Sequence, residues 1–147
     1  MTSQFRQEED LLGCMQVDNQ HYYGIHTLRA VDNFQISQQR ISDVPAFICG
    51  LLHTKKAAAL ANRALGTLDA HKADMIIAAC DLMLSTERCF DQFPIDLFQG
   101  GAGTSVNMNV NEVIANLALE LQGQPKGAYE ILNPNDDVNR CQSTNDV

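Results

Sequence analysis

The sequence predicts a mainly α-helical chain with one short β-hairpin near its N-terminus. Three observations carry this reading. Apolar residues recur at helical spacing over three long stretches of the middle of the chain. Capping residues or proline precede those stretches and glycines close two of them. Turn residues crowd the N-terminal segment instead, where Gly13 separates Leu11 and Leu12 from Met15 and Val17, the pattern of a small hairpin.

The elements follow in order. From Gln7 to Phe34 the chain is turn-rich, with a short helix expected around Thr27 to Asn33. The first long helix runs from Pro45 to Leu65 through Phe47, Ile48, Leu51, Leu52, Ala58 and Ala61. Ser42 and Asp43 are its candidate caps and Gly66 its stop. The second starts at Asp69 as cap and shows one apolar face of Met75, Ile76, Ala79, Leu82 and Met83. A connector from Asp91 to Gly103 holds Pro94 and three closely spaced glycines. The third long helix, from about Ser105 to Gln122, places Val106, Val110, Val113, Ile114, Leu117 and Leu121 on one face, and Gly123 ends it. Beyond it, from Gln124 to Val147, the chain reads as loop, with a turn of helix near Asp136 to Cys141. The closing polar cluster, Ser143 to Val147, reads as the lead-in to another helix, so the expectation is a piece of a longer protein.

With 147 residues, 45% of them hydrophobic, the chain is of single-domain size and can bury a core without staples. Its net charge of −8 argues against nucleic acid and against an anionic membrane surface as partners. No apolar stretch is long enough to span a membrane and the N-terminus has no signal-peptide core. Cys14, Cys49, Cys80, Cys89 and Cys141 are scattered and odd in number, which fits reduced thiols; Cys49 and Cys80 suit small core volumes. A cytoplasmic protein is the expectation.

Three segments could carry chemistry. Gly100-Gly101-Ala102-Gly103-Thr104-Ser105 leads straight into a helix, whose first N–H groups and partial positive charge attract anions. The commoner meaning of such a run is a glycine turn with Thr104 as helix cap, and it lacks the signatures of a phosphate loop or a dinucleotide fold. Ser143-Thr144-Asn145 offers two hydroxyls and an amide to a carboxylate or an amine; by itself it more often makes a cap. Asn133-Pro134-Asn135-Asp136-Asp137 is ordinarily a turn. His21, His26, His53 and His71 lack metal-ligand spacing, and Asp32 and Glu112 show no paired-carboxylate pattern. No nucleophile with an adjacent base is visible.

Longer motifs add to this. EEDLLG at 8–13, YYGIHTLRAVDNF at 22–34, KKAAALAN at 55–62, IIAACD at 76–81, DQFPIDLFQGGAGTSVNMNVNEVIAN at 91–116 and LNPNDDVNRCQSTND at 132–146 occur in that order. Together they resemble the N-terminal part of the aspartate ammonia-lyases, in the aspartase/fumarase superfamily. The GGAGTSVNMN loop, CQSTND and YYGIHTLRA are similar to aspartases, where class II fumarases tend to carry GSGTQTNMN, SQSSND and WGAQTQR forms. Asn133 stands where fumarases usually have histidine.

The resemblance implies reversible elimination of ammonia from L-aspartate to fumarate. It implies donors to the substrate carboxylate at Thr104, Ser143 and Thr144, and a contact to the substrate amino group at Asn145. It implies a closing loop at Gly100, Gly101, Gly103 and Ser105, and a secondary carboxylate site at Asn135 and Asp136. It requires no cofactor, with divalent-metal activation known in the family and no metal ligand implied here. It implies a homotetramer built on a central helical domain. The family's catalytic serine, on a GSSxMPxKxNP loop, has no counterpart in residues 1–147 and is expected beyond Val147. This segment by itself is therefore expected to be inactive. The alternatives are a class II fumarate hydratase segment and a non-catalytic interaction module derived from the fold.

Overall fold

The computed structural model describes residues 4–144. Strands β1 (Phe5–Asp10) and β2 (Gly13–Asp18) form an antiparallel hairpin in which Asp10 pairs with Gly13, leaving Leu11 and Leu12 as an exposed two-residue tip. Gly13 supplies a φ of +114° at the exit of that turn. Helix α1 (Ile25–Asn33) follows, then α2 (Pro45–Ala64), α3 (Ala70–Thr86) and α4 (Thr104–Leu121). The expected elements are therefore present with ends shifted by one or two residues. The late turn of helix is a single wide π-type turn, Pro134–Val138, slightly earlier than expected. The lead-in to a further helix, expected up to Val147, falls from Asn145 onward outside the described residues.

Helix α3 matches its sequence pattern. The Asp69 carboxylate accepts from the N–H groups of His71 and Lys72, so the expected cap is made. Its buried residues include Met75, Ile76, Ala79 and Met83. Cys80 is also in the core, whereas Cys49 is only half-buried.

Helix α2 corrects two expectations. Its N-cap is Val44, which makes no side-chain cap bond, and Pro45 opens the helix. Asp43 instead accepts from the Arg40 N–H at 2.7 Å and closes a short 3-10 turn, Ile41–Asp43. Phe47 and Leu65 are exposed large apolar residues, and Ala61 faces solvent. The inward face is Ile48, Leu51, Leu52, Lys55, Ala59 and Asn62. Alanines lie on several sides of this helix, so hydrophobicity alone does not fix its direction, and two polar residues take places in the core.

Helix α4 corrects a third. It is buried all round, from Val106 to Leu119, rather than along one face, and Leu121 at its end is exposed. It packs against α1, α3 and the π-type turn. Several of its buried polar side chains bind irregular backbone. Asn116 Nδ2 donates to the Tyr22 carbonyl at 2.8 Å and its Oδ1 accepts from Gly127 N at 2.8 Å. Asn109 Nδ2 donates to the Gln92 carbonyl at 3.0 Å. A buried backbone N–H or carbonyl must find a partner, and α4 supplies partners to three separate segments.

Among the described residues no helix is long and apolar enough to cross a membrane. The five cysteines are free thiols.

Candidate functional site

A cleft of about 790 Å³ opens where the N-termini of α1 and α4, the hairpin tip and the 133–144 segment meet. Thr104, Thr144, Asn135, Asp136, His26 and Glu112 all reach its wall. Four residues singled out from sequence, drawn from all three candidate segments, thus share one cavity.

Thr104 owes its place to the glycine run. Gly101, Ala102 and Gly103 take successive positive φ angles of +74°, +48° and +94°. Glycine adopts these freely; Ala102 adopts its left-handed angle against a penalty of roughly 1–2 kcal/mol. The reversal aims the start of α4 at the cleft. Gly103 is the N-cap, and Thr104 is the first helical residue rather than the expected cap. The Thr104 hydroxyl donates back to the Gly101 carbonyl at 2.7 Å. The Gln99 side chain takes the capping role, accepting from Val106 N–H at 2.9 Å.

The other loop residues diverge. Gly100 packs over Phe34, where an added Cβ would meet the ring at 3.4 Å. Ser105 turns away to a neighbouring cleft of about 260 Å³, which His26 and Arg29 also line. Ser143 and Thr144 are exposed, on a segment tied down at Asn139 and Gln142. Asn145 and the chain's last residue, Val147, beyond which the serine base is expected, lie outside the described residues.

Asn135 and Asp136 sit on the π-type turn. Asn133 Oδ1 accepts from both of their N–H groups, at 2.8 and 3.0 Å, so Asn133 caps the turn and the Asn135 and Asp136 side chains stay exposed. Asp137 points the other way, accepting from Asn133 N and pairing with Lys72 at 2.7 Å.

Sequence reasoning passed over the most heavily bonded group at the site. Glu112, from α4, is 1% exposed. Its Oε2 accepts from Gly24 N (2.8 Å), Thr27 N (3.2 Å) and Thr27 Oγ1 (2.6 Å), and its Oε1 from His26 N (2.8 Å). Glu8, from β1, is buried beside it and accepts from Ile25 N at 2.9 Å and the Tyr129 hydroxyl at 3.0 Å. Two carboxylates thus fill the N-terminus of α1, where N–H groups and the helix dipole favour negative charge. Gly24 is required there: a Cβ would lie 2.5 Å from Glu8 Oε2 and 2.8 Å from the Tyr129 hydroxyl. Burial pushes Glu112 up to about 7, with the charge of Glu8 adding to it, against the pull of Thr27 and the Gly24 and His26 N–H groups. Burial and the same two carboxylates push Tyr129 up as well, which keeps it a neutral donor.

One signal could have revealed Glu112. Helix α4 contains no lysine or arginine, yet carries four asparagines and a glutamate in its middle. A solvated face would show mixed charge. Polar residues without cations point to a buried helix that binds backbone.

Among the described residues no group of three or more His, Cys, Asp or Glu side chains is placed to hold a metal ion. Thr104 and Thr144 bring neutral hydroxyls to the cleft at the positive end of a long helix, while Glu9, Asp10, Glu112 and Asp136 bring carboxyl groups to other parts of its wall. The hydroxyls and the helix end can hold a carboxylate and stabilise extra negative charge on it.

Known proteins similar to the chain are lyases by name. The family described as Lyase matches residues 13–147. Aspartate ammonia-lyase of Corynebacterium glutamicum is 66% identical over 142 residues, covering 97% of this chain and 27% of that protein. Aspartate ammonia-lyase of Escherichia coli strain K12 is 59% identical over 147 residues, covering all of this chain and 31% of that protein. Among solved structures, a fumarate lyase:delta crystallin from Brucella melitensis superimposes with a TM-score of 0.93 at 51% identity, covering 96% of this chain and 32% of that one. Class II fumarase from Schistosoma mansoni gives 0.85 at 34% identity, covering 97% and 29%. The chain spans under a third of the length of these relatives.

Proposed function

The chain belongs to the lyase family that matches residues 13–147, and on that premise we propose that it is the N-terminal part of an aspartate ammonia-lyase, holding one end of the substrate. The observation that carries this reading is the convergence of Thr104 and Thr144 on one cleft at the N-terminus of α4.

The proposed reaction converts L-aspartate to fumarate and ammonia. A base takes a proton from the carbon beside the β-carboxylate. The electron pair left behind moves onto that carboxylate, forming a doubly charged aci-carboxylate. When it returns, the carbon–carbon double bond forms and the bond to nitrogen breaks, releasing ammonia. The proton is not acidic in water, so the rate depends on donors aimed at the carboxylate as its charge grows. Thr104, Ser143 and Thr144 are the proposed donors, aided by the α4 dipole, with Asn145 on the substrate amino group. Gly100, Gly101 and Gly103 let the loop close, with Ser105 at its edge. Asn135 and Asp136 form a secondary carboxylate site. The serine base is proposed to come from sequence beyond Val147, so residues 1–147 alone do not turn over substrate. The reaction needs no cofactor; a divalent cation acts at most as an activator. The proposed setting is a cytoplasmic homotetramer.

Identity favours aspartate over malate: the aspartate ammonia-lyases compared are 59–66% identical, against 34% for the class II fumarase. The test is a chimera joining residues 1–147 to the remainder of the Corynebacterium glutamicum enzyme. Fumarate formation from L-aspartate, falling at least tenfold in Thr104→Val, is the expected result. Turnover of malate alone would assign a fumarase instead. An inactive, correctly assembled chimera would point to a non-catalytic module.

A further inference from the structure

Lys55 is the least expected core residue of the molecule. It lies in the middle of α2 and is 0% exposed. Taking an ammonium out of water costs several kcal/mol unless its donors are used well. They are. The Nζ donates to Asn107 Oδ1 at 2.6 Å, Asn139 Oδ1 at 2.9 Å and Gln142 Oε1 at 3.0 Å.

These acceptors come from the two parts of the candidate site. Asn107 is in the first turn of α4, three residues after Thr104. Asn139 and Gln142 belong to the segment that continues directly into Ser143 and Thr144. The acceptors are also linked to one another. Asn107 Nδ2 donates to Asn139 Oδ1 at 3.1 Å, and Asn139 Nδ2 to the Gln142 carbonyl at 3.1 Å. Gln142 Nε2 donates to the Val138 carbonyl at 3.0 Å. One ammonium thus joins the root of the Thr104 turn to the root of the Ser143–Thr144 turn.

The second turn needs such a tie. Cys141 holds a left-handed φ of +57°, unfavourable for a residue with a Cβ. Asn62, two turns further along the same face of α2, donates to the Arg140 carbonyl at 2.7 Å. Lys55, through the Asn139 and Gln142 side chains, and Asn62, through the Arg140 carbonyl, therefore tie the 139–142 segment to α2 on either side of the unfavourable residue.

We propose that Lys55 is a positioning residue that sets the Ser143–Thr144 turn against Thr104, through Asn139, Gln142 and Asn107. The assignment rests on the lyase reading for its link to catalysis. Its geometric part concerns this chain alone.

The experiment compares Lys55→Met, Gln142→Leu and their double substitution in the chimera described above, with amide hydrogen exchange on residues 1–147. Methionine keeps the length of lysine and drops the donors. Leucine at half-buried Gln142 removes one acceptor at little risk to the core. Each single substitution is expected to raise KM for L-aspartate at least tenfold. The double variant is expected to be no worse than Lys55→Met, because both cut the same link. Exchange at 139–144 is expected to quicken tenfold or more while α3 is unchanged. A KM within twofold of the parent, additive losses, or exchange that quickens uniformly would each overturn the proposal. If Lys55→Met does not fold, the KM and local exchange of Gln142→Leu decide it. An inactive parent chimera counts against the lyase reading, and the exchange data then decide the positioning role.

Discussion

Helices α3 and α4 lie against each other and are buried by opposite means. Every buried residue of α3 is apolar or a thiol: Ala73, Met75, Ile76, Ala79, Cys80 and Met83. Helix α4 buries Asn107, Asn109, Asn111, Glu112 and Asn116 among its aliphatic residues. The first helix is a wall of the core. The second is a post to which the irregular segments are tied. The site lies where those segments end, so its geometry depends on polar bonds that add less to stability than they do to shape.

The largest expected effect tests that contrast directly. Glu112→Leu leaves the Gly24, His26 and Thr27 N–H groups and the Thr27 hydroxyl without their acceptor. It should cost about 4 kcal/mol in urea unfolding, with hydrogen exchange rising first at the start of α1. Ile76→Ala, in the fully buried face of α3, should cost about 3 kcal/mol through the cavity it leaves. Its exchange at residues 24–27 should keep the native pattern. If both substitutions loosen α1 equally, the two helices do not differ in kind.

A pH titration sharpens the comparison. The Glu112 carboxyl rises from an ordinary 4.5 to about 7 in the fold. Between those values the native chain binds more protons at this group than the unfolded chain does. Its contribution is therefore fully favourable below about pH 4.5 and declines as pH rises to about 7, by up to about 3 kcal/mol. Glu112→Gln should remove that declining limb from the stability–pH curve. The smallest effect is expected at Asn111, whose side-chain oxygen has no protein partner and whose amide reaches only the Met108 sulfur, at 3.7 Å. Asn111→Leu should change stability by less than about 1 kcal/mol, which would separate the asparagines that tether from the one that does not.

The same contrast explains what was legible in the sequence. Asp69 and the apolar face of α3 are local signals, and the structure follows them. Gly13 marks the hairpin for the same reason. The glycine run and the Ser143–Thr144 cluster stand out as residue types, but that Thr104 and Thr144 reach one cleft depends on contacts between distant parts of the chain. The inward turn of Lys55 and Asn62 on α2 was not legible, because alanines on several sides left its direction open. Glu8 and Glu112 were invisible as a pair: they come from distant parts of the chain and meet only around the Gly24 backbone. Asp43 beside Pro45 looks like a cap, yet a closer partner, the Arg40 N–H, claims it.

The bonds from Glu112 to Gly24 span 88 positions of sequence. At a synthesis rate of about 5–20 residues per second, Glu112 leaves the ribosome's catalytic centre roughly 4–18 seconds after Gly24. Throughout that interval the hairpin and α1 lack the carboxylate that anchors them. A segment made early is therefore fastened late, and a nascent chain arrested before α4 should present residues 5–33 to proteases and chaperones as an untethered arm.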